Sequence, residues 1–300
     1  MRILCMGSLA FDYIYKVDHL VRSGETIAAN DRTEFAGGKG LTQSISLARA
    51  GAEVYHAGKV GSDGIELRYK MNQFGVNTTL LLVDGIEPTG HSMVQVDPAG
   101  QSSIVTYGGA NDAITRQDID GILANFRAGD MILLQNEISN VCYAIEKAYS
   151  MGLQITLNPS PFSQELLESG VLQHVDYLIL NEIEGHEITG SREPEEICEC
   201  LIRDYPNSRI VLTLGAGGVR YRDSSQRFSH GIFEVPVIDA TGAGDTFVGH
   251  FLTGITEQPD VARALTLASK AASLSVTRNG SADSIPSRRE VDEADLKLLP

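Results

Sequence analysis

The chain of 300 residues has 39 acidic and 24 basic side chains, which gives a net charge of −15. Because no stretch gathers the Lys and Arg residues into a basic stripe, the composition argues against nucleic acid as a partner. A hydrophobic fraction of 42% and a charged fraction of 21% are typical of a globular protein and exclude a disordered one. No apolar stretch reaches the ~18 residues of a membrane span, so no membrane partner is expected. The cysteines show no metal-type spacing, and we expect reduced thiols in a cytoplasmic protein.

The first third of the chain predicts a short buried strand, a helix and two strand-rich segments. Ile3–Met6 is an apolar run of strand length, and Lys39 to Ala50 places apolar residues at helical offsets. Residues 12–36 mix strand formers with polar residues, and the same character returns over residues 88–107. Neither strand-rich segment is long enough to fold alone, so we expect the two to join in one small sheet.

After residue 109, the pattern changes to strands that alternate with helix-length segments. The apolar runs lie at Met131–Leu134, Gln154–Leu157, Tyr177–Leu180 and Ile210–Leu214. This rhythm is typical of a parallel sheet built from βαβ units. A last helix is predicted from about Asp260 to Thr277. The sequence therefore predicts a large α/β sandwich that carries a small additional sheet.

The strongest candidate site is the glycine-rich run from Asp239 to Phe247. We expect an apolar strand to end just before this run and a helix to begin within it. Gly242 and Gly244 would let backbone amides approach an anion, and the helix N-terminus would add its positive dipole. Asp245 would lie beside that anion, where its carboxylate can accept a proton from an attacking hydroxyl. From these residues alone, a plain turn in which Asp245 stabilises the helix dipole is an alternative.

Two more clusters lie at predicted strand-to-helix junctions. The run Gly37–Gly40 contains Lys39 and could present backbone amides and an ammonium group to a polyol or an anion. Asn181 and Glu184 are three residues apart on a predicted helix, a spacing suited to Mg²⁺-bound water and phosphate. Each cluster also has a simpler interpretation, as a turn with an exposed lysine and as a helix cap.

Short motifs follow one another in a characteristic order along the chain. They are Gly7-Ser8 with Asp12, Gly37–Gly40, Gly108–Asn111, Glu137, Asn158-Pro159, Asn181–Glu184, Thr213–Gly215, Asp239–Asp245, Thr277–Gly280 and Ser284–Pro286. On these motifs, the sequence resembles the ribokinase-like (PfkB) carbohydrate kinase family over essentially its whole length. The resemblance implies one kinase domain over residues 1–300, folded as a three-layer αβα sandwich with a mainly parallel central sheet. It also implies a small β-sheet lid formed by about 12–36 and 88–107.

The resemblance further implies an activity. The γ-phosphate of ATP would pass to a hydroxymethyl group of a pentose or hexose, with D-ribose to ribose 5-phosphate as the first candidate reaction. The implied cofactors are Mg²⁺ and K⁺, and a homodimer would form through the lid. A kinase for another sugar or a nucleoside on the same fold is the alternative, and a sugar-binding regulator without catalysis is a third possibility. Since Ser92 to Tyr107 contains no Lys or Arg, a sugar phosphate is disfavoured as the substrate.

The family's site residues carry over to matching positions of this chain. Asp245 is implied as the catalytic base, with an anion hole formed by Gly242, Ala243 and Gly244. The positions that match sugar contacts are Asp12, Gly38, Lys39, Thr42, Glu137 and Asp245. The positions that match the ATP site are Asn181, Glu184, Thr213, Gly215, Gly218, Gly244, Ser269 and Asn279, with Glu184 also holding Mg²⁺ through water. The positions that match a monovalent-cation site are Asp239, Thr241, Ser275, Arg278, Gly280 and Ser284.

Two positions depart from the family pattern. Members of ribokinase type carry an Asn two residues before the sugar-binding Asp and another in the helix after the glycine cluster. Here these positions hold Ala10 and Thr42. A pocket without the two amides would lose ~0.5–1.5 kcal/mol for each neutral hydrogen bond. The implied chemistry is unaffected, whereas the identity of the sugar stays open.

Overall fold

The computed structural model describes residues 1–299, and within that range it contains thirteen β-strands and ten α-helices. The strands are β1 (Ile3–Met6), β2 (Ala10–Lys16), β3 (Asp31–Gly37), β4 (Val54–Gly61), β5 (Asn77–Asp84), β6 (Gly90–Val96), β7 (Ser102–Tyr107), β8 (Met131–Gln135), β9 (Gln154–Asn158), β10 (Tyr177–Asn181), β11 (Arg209–Thr213), β12 (Val219–Arg222) and β13 (Arg227–His230). The helices are α1 (Lys39–Ala50), α2 (Ile65–Gln73), α3 (Arg116–Leu123), α4 (Val141–Ser150), α5 (Gln164–Glu168), α6 (Glu182–Thr189), α7 (Pro194–Asp204), α8 (Ala243–Glu257), α9 (Val261–Ser275) and α10 (Arg288–Glu293). None of the helices within residues 1–299 has both the length and the apolar character needed to cross a membrane.

The larger sheet has nine strands in the order β13-β12-β11-β10-β9-β8-β1-β4-β5. The strands from β11 to β5 run parallel to one another. At the other edge, β12 and β13 are antiparallel to their neighbours. Strands that are buried on both faces have nearly continuous apolar sequences. The fully buried run of β8 is such a case, and its apolar sequence alone predicts it correctly.

Alternate residues of β1 enter two separate hydrophobic cores. Ile3 and Cys5 pack in the core that contains residues of α1, α8 and α9. Leu4 and Met6 pack in the core that contains residues of α3, α4 and α7. Because successive side chains of a strand point to opposite faces, one sheet serves both cores. The predicted three-layer αβα sandwich is therefore confirmed.

The smaller sheet has four strands in the order β3-β2-β6-β7. Here β2 pairs with β3 in the antiparallel sense and with β6 in the parallel sense, so the two predicted strand-rich segments do join. Compared with the predicted bounds, β2 begins two residues early at Ala10, β3 ends one residue late at Gly37, and β6 begins two residues late at Gly90. We call this four-stranded unit the small sheet.

The prediction of a strand just before the glycine-rich run is wrong. Residues 235–238 belong to no strand of the described chain, and Ile238 is 60% exposed. Pro236 has no amide hydrogen to contribute to a sheet. The amides of Ile238 and Asp239 donate instead to the carbonyl of Val276 at the end of α9. The segment is thus held by the loop after α9 rather than by a neighbouring strand.

Candidate active site

Several chain segments meet in a cleft of about 170 Å³ at the carboxyl ends of β9, β10 and β11. In open α/β sheets, ligands bind outside the carboxyl ends of the parallel strands. The cleft is lined by Lys39, Asn158, Ser160, Ile179, Leu180, Asn181, Glu184, Thr213, Gly242, Gly244, Asp245 and Val248. Residues from all three clusters that the sequence singles out therefore share one cavity.

The glycine-rich run places Asp245 in the first turn of α8. Gly242 precedes the helix with a φ of +75°, a left-handed conformation that favours glycine. A Cβ atom at Gly242 would also lie 2.6 Å from Ser281 Oγ. The first turn of a helix leaves backbone amides without intrahelical partners, and the helix dipole is positive at that end. Amides and a carboxylate therefore lie side by side in the cleft.

The Asp245 carboxylate is partly buried and is held by one side chain. Gln43 Nε2 donates a hydrogen bond of 2.8 Å to Asp245 Oδ1. Burial raises the pKa of Asp245 above the usual range for aspartate, while the positive charge of Lys39 and the bond from Gln43 oppose the rise. In return, the negative charge of Asp245 raises the pKa of Lys39. The cleft thus contains a carboxylate of increased basicity and an ammonium group whose charges stabilise each other.

Asn181 and Glu184 form a reciprocal cap at the start of α6. Asn181 Oδ1 accepts the amides of Ile183 and Glu184 at 2.9 and 3.0 Å. The Glu184 carboxylate accepts the backbone and side-chain amides of Asn181 at 2.9 and 3.0 Å. Burial raises the pKa of Glu184, which is only 4% exposed, and the bonds from Asn181 oppose the rise. The helix-cap interpretation is correct, and the capping pair also lines the cleft.

Asp12 and Glu137 form a second polar group where the small sheet meets α1. Ser92 Oγ donates to Asp12 Oδ1. Glu137 Oε2 accepts a hydrogen bond from Ser8 Oγ and another of 3.0 Å from the backbone amide of Lys39. Burial raises the pKa of Asp12; the bond from Ser92 opposes the rise and the charge of Glu137 adds to it. These two acids therefore lie in one electrostatic environment.

Gly38 and Thr42 fix the start of α1. Gly38 has a φ of +92°, and a Cβ atom there would lie 2.8 Å from the carbonyl oxygen of Ser8. The hydroxyl groups of Thr42 and Ser281 are 3.1 Å apart and form a hydrogen bond. Thr42 thus links α1 to the loop after α9 and is 1% exposed.

The predicted ATP positions are only partly brought together. Thr213 lines the cleft, and Gly215 and Gly218 lie in the turn that follows β11. At Gly218, with a φ of +82°, a Cβ atom would lie 2.1 Å from a backbone carbonyl, so only glycine fits. Ser269 is buried within α9, and Asn279 is exposed in the loop after that helix; both lie outside the cleft lining.

Asp239 joins the two loops that contain the predicted cation positions. Its Oδ1 accepts the amide of Thr241 at 2.9 Å, and its Oδ2 accepts the amide of Gly280 at 3.0 Å. Ser284 Oγ donates to a carbonyl of the second loop at 2.8 Å. The Asp239 carboxylate therefore ties the two loops together through their backbone amides.

The two remaining positions predicted for the cation site, Arg278 and Ser275, bond to other residues of the chain. The Arg278 guanidinium forms an ion pair of 2.7 Å with Glu290. Ser275 Oγ donates to the carbonyl of Ala272 at 2.9 Å. Within residues 1–299, no group of three or more His, Cys, Asp and Glu side chains is arranged to hold a metal ion.

Three amide side chains, those of Gln43, Gln135 and Asn158, were not singled out as site residues from the sequence. Gln43 bonds to Asp245 and Asn158, and it also accepts a hydrogen bond from Gln135. Gln43 and Gln135 are both fully buried. Since α1 is buried on nearly all its faces from Gly40 to Leu47, no apolar periodicity marks Gln43 as exceptional.

Comparisons with known proteins show which family has this sequence and fold. A family model described as pfkB family carbohydrate kinase matches residues 1–288. The chain is 34% identical to a ribokinase of Bacillus subtilis over 98% of this chain and 99% of that protein. It is 29% identical to a deoxyribokinase of Salmonella typhi, over 98% of each chain. A structure of Arabidopsis thaliana ribokinase complexed with ribose and ATP superposes with a TM-score of 0.87 at 27% identity, over 97% of each chain. The chain belongs to the pfkB family of carbohydrate kinases.

Proposed function

We propose that this protein is an ATP-dependent kinase of ribokinase type, which transfers the γ-phosphate of ATP to the hydroxymethyl group of a pentose, with D-ribose as the first candidate. One observation supports this proposal above all others. The Asp245 carboxylate lies in the first turn of α8, and it lines the same cleft as Lys39 at the carboxyl edge of the sheet. The similarity to ribokinases over almost the full length supports the same assignment.

Asp245 acts as the general base. Its raised pKa makes it a better proton acceptor than an exposed aspartate, and it accepts the proton of the attacking hydroxyl. The amides of Gly242, Ala243 and Gly244 stabilise the charge of the transferring phosphoryl group, because fixed donors need no reorganisation during the reaction. Phosphoryl transfer depends mainly on such positioning and electrostatic stabilisation.

Lys39, Asn181 and Glu184 serve the phosphate side of the cleft. The Lys39 ammonium offsets the negative charge of the phosphates. When bound, Mg²⁺ neutralises charge on the phosphate oxygens. Each Glu184 oxygen accepts a bond from Asn181 and retains acceptor capacity, so the pair fits a metal-bound water. We assign the more distant contacts with ATP to Thr213, Gly215, Gly218, Ser269 and Asn279.

Asp12, Gly38 and Glu137 serve the sugar side. Ser92 occupies one oxygen of Asp12, which leaves the other oxygen for sugar hydroxyls. Ala10 offers only a methyl group, and the Thr42 hydroxyl is paired with Ser281. A pocket with few free donors favours a less hydroxylated sugar, so 2-deoxyribose is the second candidate. The similarity to a deoxyribokinase supports this alternative.

A monovalent cation such as K⁺ fits the two loops joined by Asp239. This assignment is supported by the two backbone amides through which Asp239 joins the loops, and by the closeness of Gly242 to the second loop at Ser281. A cation there would stabilise the loop that precedes the anion hole. Activity should therefore rise when Na⁺ is replaced by K⁺.

The small sheet is assigned as a lid over the sugar and as a dimerisation surface. Met93 pairs with Val105, and His91 pairs with Tyr107, so all four lie on one face. Met93, Val105 and Tyr107 are 49%, 68% and 48% exposed. Contiguous exposed apolar groups mark interaction surfaces, and a second copy of this sheet would cover them.

The four free cysteines support a reducing, cytoplasmic setting.

A substrate panel tests the proposed function. ADP release would be measured with Mg²⁺ and K⁺ over ribose, 2-deoxyribose, hexoses and nucleosides, and the product would be identified by mass spectrometry. We expect a pentose 5-phosphate, and a drop in rate when Na⁺ replaces K⁺. Phosphorylation of nucleosides alone would favour the alternative on the same fold. Sugar binding without any transfer from ATP would contradict the proposal.

A further inference from the structure

Three amide side chains, Gln135, Gln43 and Asn158, form a continuous chain of hydrogen bonds that leads to Asp245. Asn158 Nδ2 donates to the carbonyl of Ile179 at 2.9 Å. Gln43 Nε2 donates to Asn158 Oδ1 at 2.9 Å and to Asp245 Oδ1 at 2.8 Å. Gln135 Nε2 donates to Gln43 Oε1 at 2.6 Å. The chain connects β8, β9 and β10 of the central sheet to the first turn of α8 through α1.

The direction of every bond in this chain is fixed by its far end. A backbone carbonyl can only accept, so Asn158 must turn its NH₂ group to Ile179 and its oxygen to Gln43. Gln43 must then present its NH₂ group to Asn158, and the same nitrogen faces Asp245. Its oxygen consequently faces the NH₂ group of Gln135. Gln43 can therefore serve Asp245 only as a donor.

From this geometry we propose that Gln43 is a positioning residue, which holds Oδ1 of Asp245 and directs Oδ2 to the substrate hydroxyl. This inference rests on the proposed role of Asp245 as the base. Among the residues the structure describes, Oδ2 of Asp245 accepts no hydrogen bond. Held at one oxygen by a fully buried amide, the carboxylate keeps one rotamer before the sugar binds. Such preorganisation is the condition for efficient proton transfer.

The same bond also sets the basicity of Asp245. Hydrogen bonding to a carboxylate favours its ionised form. The groups that face Asp245 are Lys39 and Gln43, which lower its pKa, and Glu137, which raises it. Removal of the Gln43 donor should therefore raise the pKa of Asp245, so that the base becomes protonated at a higher pH. A residue that only filled space in the core would not have this effect.

The experiment compares Gln43→Met with Ser44→Ala. Ser44 is the next residue of α1, is equally buried and bonds to His56 Nδ1 at 2.8 Å, away from Asp245. Two readouts are measured on the full chain: the pH profile of kcat with ribose and ATP, and the titration of ¹³C-labelled aspartate carboxyl groups by NMR. The Asp245 resonance is assigned by its loss in Asp245→Asn. Gln43→Glu is a second variant of the same shape, in case Gln43→Met does not fold.

We expect Gln43→Met to lower kcat at neutral pH by ~10-fold or more and to move the acidic limb of the profile to higher pH. The Asp245 carboxyl should titrate at higher pH in the same variant, and Gln43→Glu should move both in the same direction. Ser44→Ala should leave both in place. An unchanged profile and titration in the Gln43 variants would overturn the inference. If the wild-type protein phosphorylates no sugar, the proposed function fails, and the carboxyl titration still decides whether Gln43 controls Asp245.

Discussion

The two ends of the site are built in different ways. At the phosphoryl-transfer end, Asp245 lies on a helix N-terminus and is tied to the central sheet by buried amides. At the sugar end, Asp12 lies on the small sheet, whose outer strand β7 is exposed along its whole length. Backbone amides are present whatever the side chain, whereas the side chains of Ala10 and Thr42 can be exchanged without removing a hydrogen bond of Asp245. With the roles proposed above, this difference would allow the preferred sugar to change while the reaction is kept.

Among substitutions that leave Asp245 in place, the largest effect is expected from Gly242→Ala, which tests the transfer end. An alanine would be strained at a φ of +75°, and its Cβ would lie 2.6 Å from Ser281 Oγ. The first turn of α8 must shift, so kcat should fall by ~10²-fold, as for the loss of an oxyanion donor. The KM for sugar should change little. Gly121→Ala, where a Cβ meets no atom within 4 Å, is the matched control. A large change in the KM for sugar with a normal kcat would contradict the assignment of Gly242 to the phosphoryl-transfer end.

A smaller effect is expected from Asp12→Asn, which tests the sugar end. The amide keeps the shape of the carboxylate but loses the charge, and a hydrogen bond to a charged group contributes ~1.5–3 kcal/mol. The KM for sugar should therefore rise by about 10- to 100-fold, with little change in the KM for ATP. Asp31→Asn, on the exposed edge of the same small sheet, is the control. Loss of kcat alone would place Asp12 with the reacting groups instead.

A still smaller effect is expected from adding the missing amides. Ala10→Asn should lower the KM for ribose by about 2- to 10-fold, since one neutral hydrogen bond contributes ~0.5–1.5 kcal/mol. Thr42→Asn should lower the KM for ribose by a smaller factor, because it breaks the hydrogen bond between Thr42 and Ser281. Steady-state kinetics with ribose and 2-deoxyribose would measure both. If neither variant changes the ratio of the two sugars, these positions do not determine specificity.

The smallest effect on catalysis, and a clear one on stability, is expected from two histidines that anchor α1. His56 bonds to Ser44 and His250 to Ser46, and burial lowers the pKa of His56 to about 3 and that of His250 to about 4. Below pH ~6.5, the unfolded chain binds protons that the folded state excludes, so the free energy of unfolding falls as the pH decreases.

The loss should be ~2 kcal/mol for each histidine between pH 6.5 and 5. Urea unfolding at the two pH values would measure it. His56→Gln removes one titrating group while it keeps an acceptor for Ser44, and it should reduce the loss by about half. An equal loss in this variant would show that other groups control the acid sensitivity of the scaffold.

Apolar periodicity predicts most of the fold and fails where packing decides. Buried parallel strands such as β8 are visible as apolar runs, and the two strand-rich segments join as expected. Residues 235–238 have the composition of a strand, but Pro236 has no amide hydrogen to donate. The amides of Ile238 and Asp239 bond instead to the carbonyl of Val276, in the loop after α9. The error arises because local sequence does not reveal which sheet edges are available.

The site was predictable only where its motifs are local. Asp245 and Gly242 lie in one short run, and Asn181 and Glu184 lie in another. The spacing within each run is enough to identify these residues as candidates. Gln43 lies 202 residues from Asp245 and 92 from Gln135 in the sequence. No short-range pattern connects these residues, and only the fold brings them together.

The central claim is that Asp245 is the base of a sugar kinase, and Asp245→Asn tests it most directly. ATP binding by calorimetry and single-turnover phosphorylation of ribose would be measured on the same preparation. The amide has the same shape but cannot accept the proton, so ATP affinity should stay nearly unchanged while the rate of transfer falls by at least ~10²–10⁴. Near-normal phosphorylation of ribose by Asp245→Asn would contradict the account.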